Sequence, residues 1–117
     1  MTPARRVSMP SPRPTLRSRK ASTRLVITEG PLQGTVFPLT GSAITIGRAP
    51  EATVVLDDDF VSSHHARLMP RGAQWLVEDL GSTNGTWVND SKVGAPVIVA
   101  PGATVRIGRT SMELGHE

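Results

Sequence analysis

The sequence predicts an all-β domain, two antiparallel sheets packed as a sandwich, and three observations lead there. From Arg24 onward, short apolar runs alternate with turn-forming residues. Several of those runs show the period of two that sends successive side chains to opposite faces of a strand. No segment keeps a helical period for about ten residues or more, which also argues against a protein that lays a helix in a DNA groove.

Taken in order, the first strand is expected over Leu25–Glu29 and is stopped by Gly30-Pro31. Thr35–Leu39 and Ala43–Ile46 lie on either side of Thr40-Gly41, and Thr53–Leu56 is a short run after them. His65–Met69 and Gln74–Glu78 flank Pro70-Arg71-Gly72, and in the second of these Trp75 and Val77 fall on one face. Asn84-Gly85 precedes Thr86–Asn89, because this dipeptide supplies the positive φ of a tight turn. Val97–Val99 and Thr104–Ile107 are separated by Pro101-Gly102, and Val105 and Ile107 share a face. Ser111–Leu114 is the last strand expected.

Composition bounds what such a domain is made of and where it works. A chain of 117 residues has room for one domain, and with two Trp, two Phe and no Tyr its core must consist of Val, Ile and Leu. The absence of cysteine excludes a disulfide framework, a thiolate metal site and a thiol nucleophile, and it fits a reducing, cytoplasmic setting. The longest apolar run, Val97-Ile98-Val99-Ala100, is far from the roughly 18 residues of a membrane span. Arg5-Arg6 is not followed by the apolar stretch that a twin-arginine signal needs.

Charge divides the chain. Residues 1–24 carry seven basic side chains and no acid, whereas residues 25–117 carry six basic and ten acidic ones, so the overall +3 combines +7 with −4. Residues 1–23, with Pro3, Pro10, Pro12 and Pro14 among Ser, Thr and Arg, bury too little to offset their ordering entropy and are expected to be a disordered basic tail or linker. Residues 24–117 are the expected domain. Besides a solvated linker, the tail suits contact with an anionic membrane surface or nonspecific nucleic acid, in which case the β domain would serve as scaffold.

Three stretches hold more polar groups than structural loops require. In the first, Ile46-Gly47-Arg48, a strand ends in glycine and then presents a guanidinium. The second runs from Asp57 to Leu68; its three consecutive aspartates lack the ligand alternation, the turn glycine and the closing Glu of a calcium loop. His64 and His65 are neighbours at a strand start, so they point to opposite faces and are unsuited to sharing a metal. Ser62, His65 and Asp79 suggest a nucleophile, base and orienter, yet no Gly-x-Ser-x-Gly elbow or oxyanion donor accompanies them, and no enzyme activity is expected. The third stretch, Asp79 to Asn89, places Ser82, Thr83 and Asn84 on the loop before Gly85, and neutral donors beside an arginine suit a phosphate.

Gly47-Arg48, Ser62-Ser63-His64-His65 and Asp79-Leu80-Gly81-Ser82-Thr83-Asn84-Gly85-Thr86-Trp87-Val88-Asn89, in this order and at these separations, resemble a forkhead-associated (FHA) domain. The resemblance runs from about Arg24 to Leu114 and is strongest to the FHA domain of actinobacterial FhaB-type proteins. It implies an eleven-stranded antiparallel β-sandwich that binds phosphothreonine peptides through loops gathered at one end. Carried over residue by residue, it puts Arg48, Ser62 and Thr83 on the phosphate, Asn84 on the peptide backbone and Ser63 at a secondary peptide contact. Gly47, His65 and Asn89 become supports of the binding loops.

The partners it implies are substrates of Ser/Thr kinases, including an autophosphorylated kinase, in a setting of cell-wall synthesis and division, with no cofactor, no metal and a monomeric module. FhaB-type proteins usually have a membrane span before a basic linker; none is present in this sequence, so a place on the cytoplasmic face of the membrane would need an anchor outside it. Two positions depart from the family pattern: Ser63 stands where many relatives carry a longer Arg or Asn, and Asp90 follows Asn89 where Gly is frequent. Spacing by itself does not produce the clustering. In a simple meander the loops at Arg48 and Ser62 lie at opposite ends of a four-residue strand, roughly 13 Å apart.

Overall fold

The structure, a computed structural model, describes residues 22–115; of the basic tail, all but Ser22 and Thr23 lies outside the described residues. The described residues form eleven strands: β1 Arg24–Glu29, β2 Val36–Pro38, β3 Ile44–Gly47, β4 Val54–Val55, β5 Ala66–Arg71, β6 Gln74–Asp79, β7 Thr86–Val88, β8 Ser91–Lys92, β9 Val97–Val99, β10 Thr104–Ile107 and β11 Thr110–Gly115. One sheet has five strands in the order β9-β6-β5-β3-β4, and the other has six in the order β2-β1-β11-β10-β7-β8. There is no helix among the described residues, hence none long and apolar enough to cross a membrane.

Alternation decides which side chains meet between the sheets. Val105 and Ile107 are completely buried while Arg106 between them is exposed, and Trp75 and Val77 turn into the same core. That core is aliphatic, as the composition requires, with Leu25, Ile27, Ile46, Leu68 and Leu114 among its members and Trp75 as its one large aromatic. Each such side chain contributes about 1.5–3 kcal/mol when fully buried. The indole N–H of Trp75 donates to the Ser22 carbonyl at 3.3 Å, and the Thr23 N–H donates to the Gly115 carbonyl at 2.8 Å. The sandwich therefore holds two residues that composition assigns to the tail.

Two features differ from the expected antiparallel strands. The sheets are not wholly antiparallel, because β4 runs parallel to β3 with Ile46 opposite Val54 and Gly47 opposite Val55. The reversal is held by Thr45 and Thr53, whose side chains and backbones meet; the Thr53 N–H donates to the Thr45 hydroxyl at 3.0 Å. The second difference is β8, which pairs with β7 through Trp87↔Lys92 and Val88↔Ser91. The link is the two-residue turn Asn89-Asp90, with φ of 46° and 70°. Consecutive left-handed residues suit a tight hairpin, and Asn and Asp are among the few side chains that accept them.

The parallel pair positions the site. The chain leaves β3 at Gly47, returns along β4 in the same direction, and so delivers residues 56–65 beside the end of β3 before entering β5.

Candidate functional site

Arg48 and Ser62 are direct backbone neighbours, since the Arg48 N–H donates to the Ser62 carbonyl at 3.0 Å and the Ala49 N–H to the Ser63 carbonyl at 3.1 Å. A simple meander would hold these loops roughly 13 Å apart, and the parallel strand β4 is what brings them together, as the family resemblance implies. The approach also explains the glycine at position 47. A Cβ there would overlap the Ser63 carbonyl oxygen and lie 2.8 Å from the Ser63 carbonyl carbon, and these are backbone atoms with little room to yield.

The third stretch joins the first two through side chains. The Ser62 hydroxyl accepts the Thr83 N–H at 3.1 Å, and the Asn84 amide donates to the Phe60 carbonyl at 3.0 Å. Below them His65 is completely buried, whereas His64 is exposed, as opposite faces require. His65 Nδ1 accepts the Ser62 N–H at 3.1 Å, which leaves Nε2 to carry the proton and donate to the Gly85 carbonyl at 2.8 Å. One imidazole thereby fixes the spacing of two loops that are twenty residues apart in sequence.

Asp79 shapes the 80–86 loop from within. Its carboxylate accepts the N–H groups of Gly81 and Ser82 and the hydroxyls of Ser82 and Thr86, and the Ser82 hydroxyl in turn accepts the Gly85 N–H at 2.9 Å. Burial pushes the carboxyl up, but these donors outweigh burial and hold it below its ordinary range. Asp79 makes no hydrogen bond to His65, whose ring nitrogens are both engaged elsewhere, so Ser62, His65 and Asp79 do not form a catalytic relay.

Asp58 is a member of the site that the sequence hides among three aspartates. It is 3% exposed and accepts the Phe60 N–H at 2.9 Å and the Arg109 N–H at 2.8 Å, with the Arg109 guanidinium 3.5 Å away. Burial raises its pKa, while those two N–H groups and the Arg109 charge more than compensate and leave it lowered. A signal existed in Gly108, where a Cβ would come within 2.7 Å of the Asp58 carboxylate. Asp58 thus ties the segment bearing Ser62 to the turn between β10 and β11.

Arg48, Ser62, Thr83 and Asn84 are brought together at one end of the sandwich, with Ser63 exposed beside them and Gly47 and His65 underneath. Asn89 is not part of this group. It sits at the far end of β7, where its side chain accepts the Thr104 N–H at 3.0 Å. The Arg48 side chain is 45% exposed, and its one ion-pair neighbour among the described residues is Asp59, 3.9 Å away and 93% exposed. A planar fork of donors beside two hydroxyls and an amide has the chemistry to hydrogen-bond a tetrahedral oxyanion.

The two-sheet sandwich thus gathers side chains from three separate loops at one of its ends. The chain belongs to the FHA domain family, whose model matches residues 44–108. The FHA domain-containing protein FhaB of Mycolicibacterium smegmatis is 52% identical over 101 residues, which cover 86% of this chain and 65% of that protein. This chain accordingly spans 65% of that relative's length. The FHA domain of an Arabidopsis thaliana hypothetical protein has the same fold, with a TM-score of 0.77 and 29% identity over 84% of this chain and 87% of that one. An FHA domain solved in a structural and functional analysis of phosphothreonine-dependent FHA domain interactions aligns with a TM-score of 0.70 and 29% identity, covering 81% of this chain and 98% of that one.

Proposed function

We propose that this domain binds phosphothreonine-containing segments of partner proteins, with Arg48, Ser62 and Thr83 on the phosphate, Asn84 on the peptide backbone and Ser63 at its edge. The observation that carries this reading is the junction of three loops at Ser62, which touches Arg48 through its carbonyl and Thr83 through its hydroxyl. A phosphothreonine brings about −1.5 to −2 charge and three acceptor oxygens, and it gains most from donors already held in place. Charge-assisted hydrogen bonds contribute about 1.5–3 kcal/mol each, and after the cost of association the expected affinity is about micromolar. A preference for threonine over serine rests on one methyl group, about 0.8 kcal/mol in transfer terms.

The proposed partners are phosphothreonine-containing proteins, Ser/Thr kinases and their substrates among them, in bacterial signalling that the FhaB-type resemblance links to cell-wall synthesis or division. The test is a screen of the full chain against a degenerate phosphothreonine peptide library, with the dephosphorylated library as control. Binding that disappears on dephosphorylation is expected. Equal binding to any polyanion with a steep salt slope would instead assign the activity to the basic tail.

A further inference from the structure

Next to the proposed phosphate site lies a cleft of about 200 Å³ lined by Phe60, Asn84, Trp87, Arg106, Gly108 and Arg109. It shares a wall with that site, because Asn84 belongs to both and donates to the Phe60 carbonyl. Its cations are oriented. The Arg106 guanidinium carbon is 5.2 Å from the centroid of the Trp87 ring, and that of Arg109 is 5.4 Å from the centroid of Phe60. Phe60 is 51% exposed, so the ring that carries Arg109 borders the open cleft.

Arg109 is held a second time by Asp58, which lies beneath it at 3.5 Å and is itself buried, while the Arg109 side chain remains 69% exposed. Among the described residues Arg106 makes no ion pair. It is fixed by register instead, since Arg106 stands opposite Trp87 on β7 and opposite Ser111 on β11. A guanidinium laid on a ring and pinned at its base keeps most of its N–H donors free, and it loses little freedom when it binds.

We infer that this cleft is a second anion pocket, which takes an acidic group on the same phosphothreonine segment, either an Asp or Glu carboxylate or a second phosphoryl group. The inference rests on the proposed phosphopeptide reading and specifies its ligand as a segment with two anions. The two arginines supply the charge complementarity, and the shared Asn84 wall supplies the continuity. The aromatic faces exclude water from one side of each guanidinium and strengthen its interaction with an incoming anion.

The experiment uses the full chain and an alanine-rich host peptide with a single phosphothreonine. Glu, Gln, Leu or a second phosphothreonine is placed at each flanking position in turn, and Kd is measured for the unaltered protein and for Arg106→Gln and Arg109→Gln. At one position Glu or phosphothreonine is expected to tighten binding by about fivefold over Gln, an advantage lost in the two variants. The unadorned host peptide should bind the protein and the Arg106→Gln variant alike, which keeps the result readable if the Arg109 change disturbs Asp58. An advantage of Glu and one of phosphothreonine alone both support the pocket and distinguish carboxylate from phosphate. Host-peptide binding with no preference for an anion anywhere, or with Leu preferred at the responsive position, would overturn the pocket and leave the phosphate site standing. Failure of every phosphothreonine peptide would overturn both.

Discussion

His65 spans the site, with Nε2 2.8 Å from the Gly85 carbonyl while its other ring nitrogen accepts the Ser62 N–H. Replacing His65 by Ala removes both bonds at a fully buried position and opens a void. Leaving buried partners unpaired costs about 1–3 kcal/mol, so His65→Ala should melt about 5–15 °C lower and also bind phosphopeptide more weakly. Thermal unfolding by circular dichroism combined with peptide titration checks this. An unchanged melting curve with lost binding would make His65 a ligand contact.

Arg48 anchors its backbone on Ser62 and leaves its side chain nearly half exposed. Arg48→Ala should retain the fold and lose phosphopeptide affinity by at least about tenfold. Arg48→Lys should restore little, because an ammonium cannot reproduce a planar fork. Titration calorimetry on the folded variants decides the matter, and near-normal affinity in Arg48→Ala would remove Arg48 from the phosphate set.

Among the described residues Asp59 is the anion paired with the Arg48 guanidinium, and on the proposed reading it would compete with an incoming phosphate for the same charge. An exposed pair of this kind is weak, so the effect is modest. Asp59→Asn should tighten phosphopeptide binding about two- to fivefold, and more at low salt than at high salt. Equal or weaker affinity across an ionic-strength series would show that Asp59 does not oppose the ligand.

Asp58 has a pKa held below its ordinary value, so its stabilising contribution is present above the unfolded-state value near pH 3.9 and is lost as pH falls through the folded value. Asp79 carries the same sign. The unaltered protein should therefore hold its stability at neutral pH and lose it below about pH 4. In Asp58→Asn the amide oxygen can keep one of the two backbone N–H donors, while the NH2 group is left facing the other. That variant should be about 1–3 kcal/mol less stable at pH 7, with a shallower fall in acid, as measured by urea unfolding at several pH values.

Where local pattern decides the outcome, the structure was legible beforehand. Trp75 with Val77, and Val105 with Ile107, face inward as period two requires, the turn glycine at Gly85 has φ of 91°, and of the two adjacent histidines one is buried. The strand Ser91–Lys92 escaped notice because both of its residues are exposed and carry no alternation. The parallel course of β4 escaped for a related reason, since a two-residue strand has no direction in its sequence. With it went the meeting of Arg48 and Ser62, which hydrogen bonds between distant segments create and which could be expected beforehand only through family resemblance. Asp58 was hidden by composition. It resembles Asp57 and Asp59 on either side, and only the approach of Gly108 and Arg109 from the far end of the chain buries it.

The hydrogen bond from Thr23 to Gly115, continued by the pairing of Arg24 with Gly115, sets the two ends of the described domain side by side. Strands β1 and β11 are antiparallel, so a pull that draws those ends apart loads their rungs one after another, beginning at Gly115 and moving toward Glu29 opposite Ser111. Peeling of this kind yields at low force, whereas shearing a ladder must break many rungs at once. Under tension the domain would open first at the end where β11 finishes, while the loops around Ser62, tied through Asp58 to Arg109 just before β11 begins, lie toward the other end of that strand.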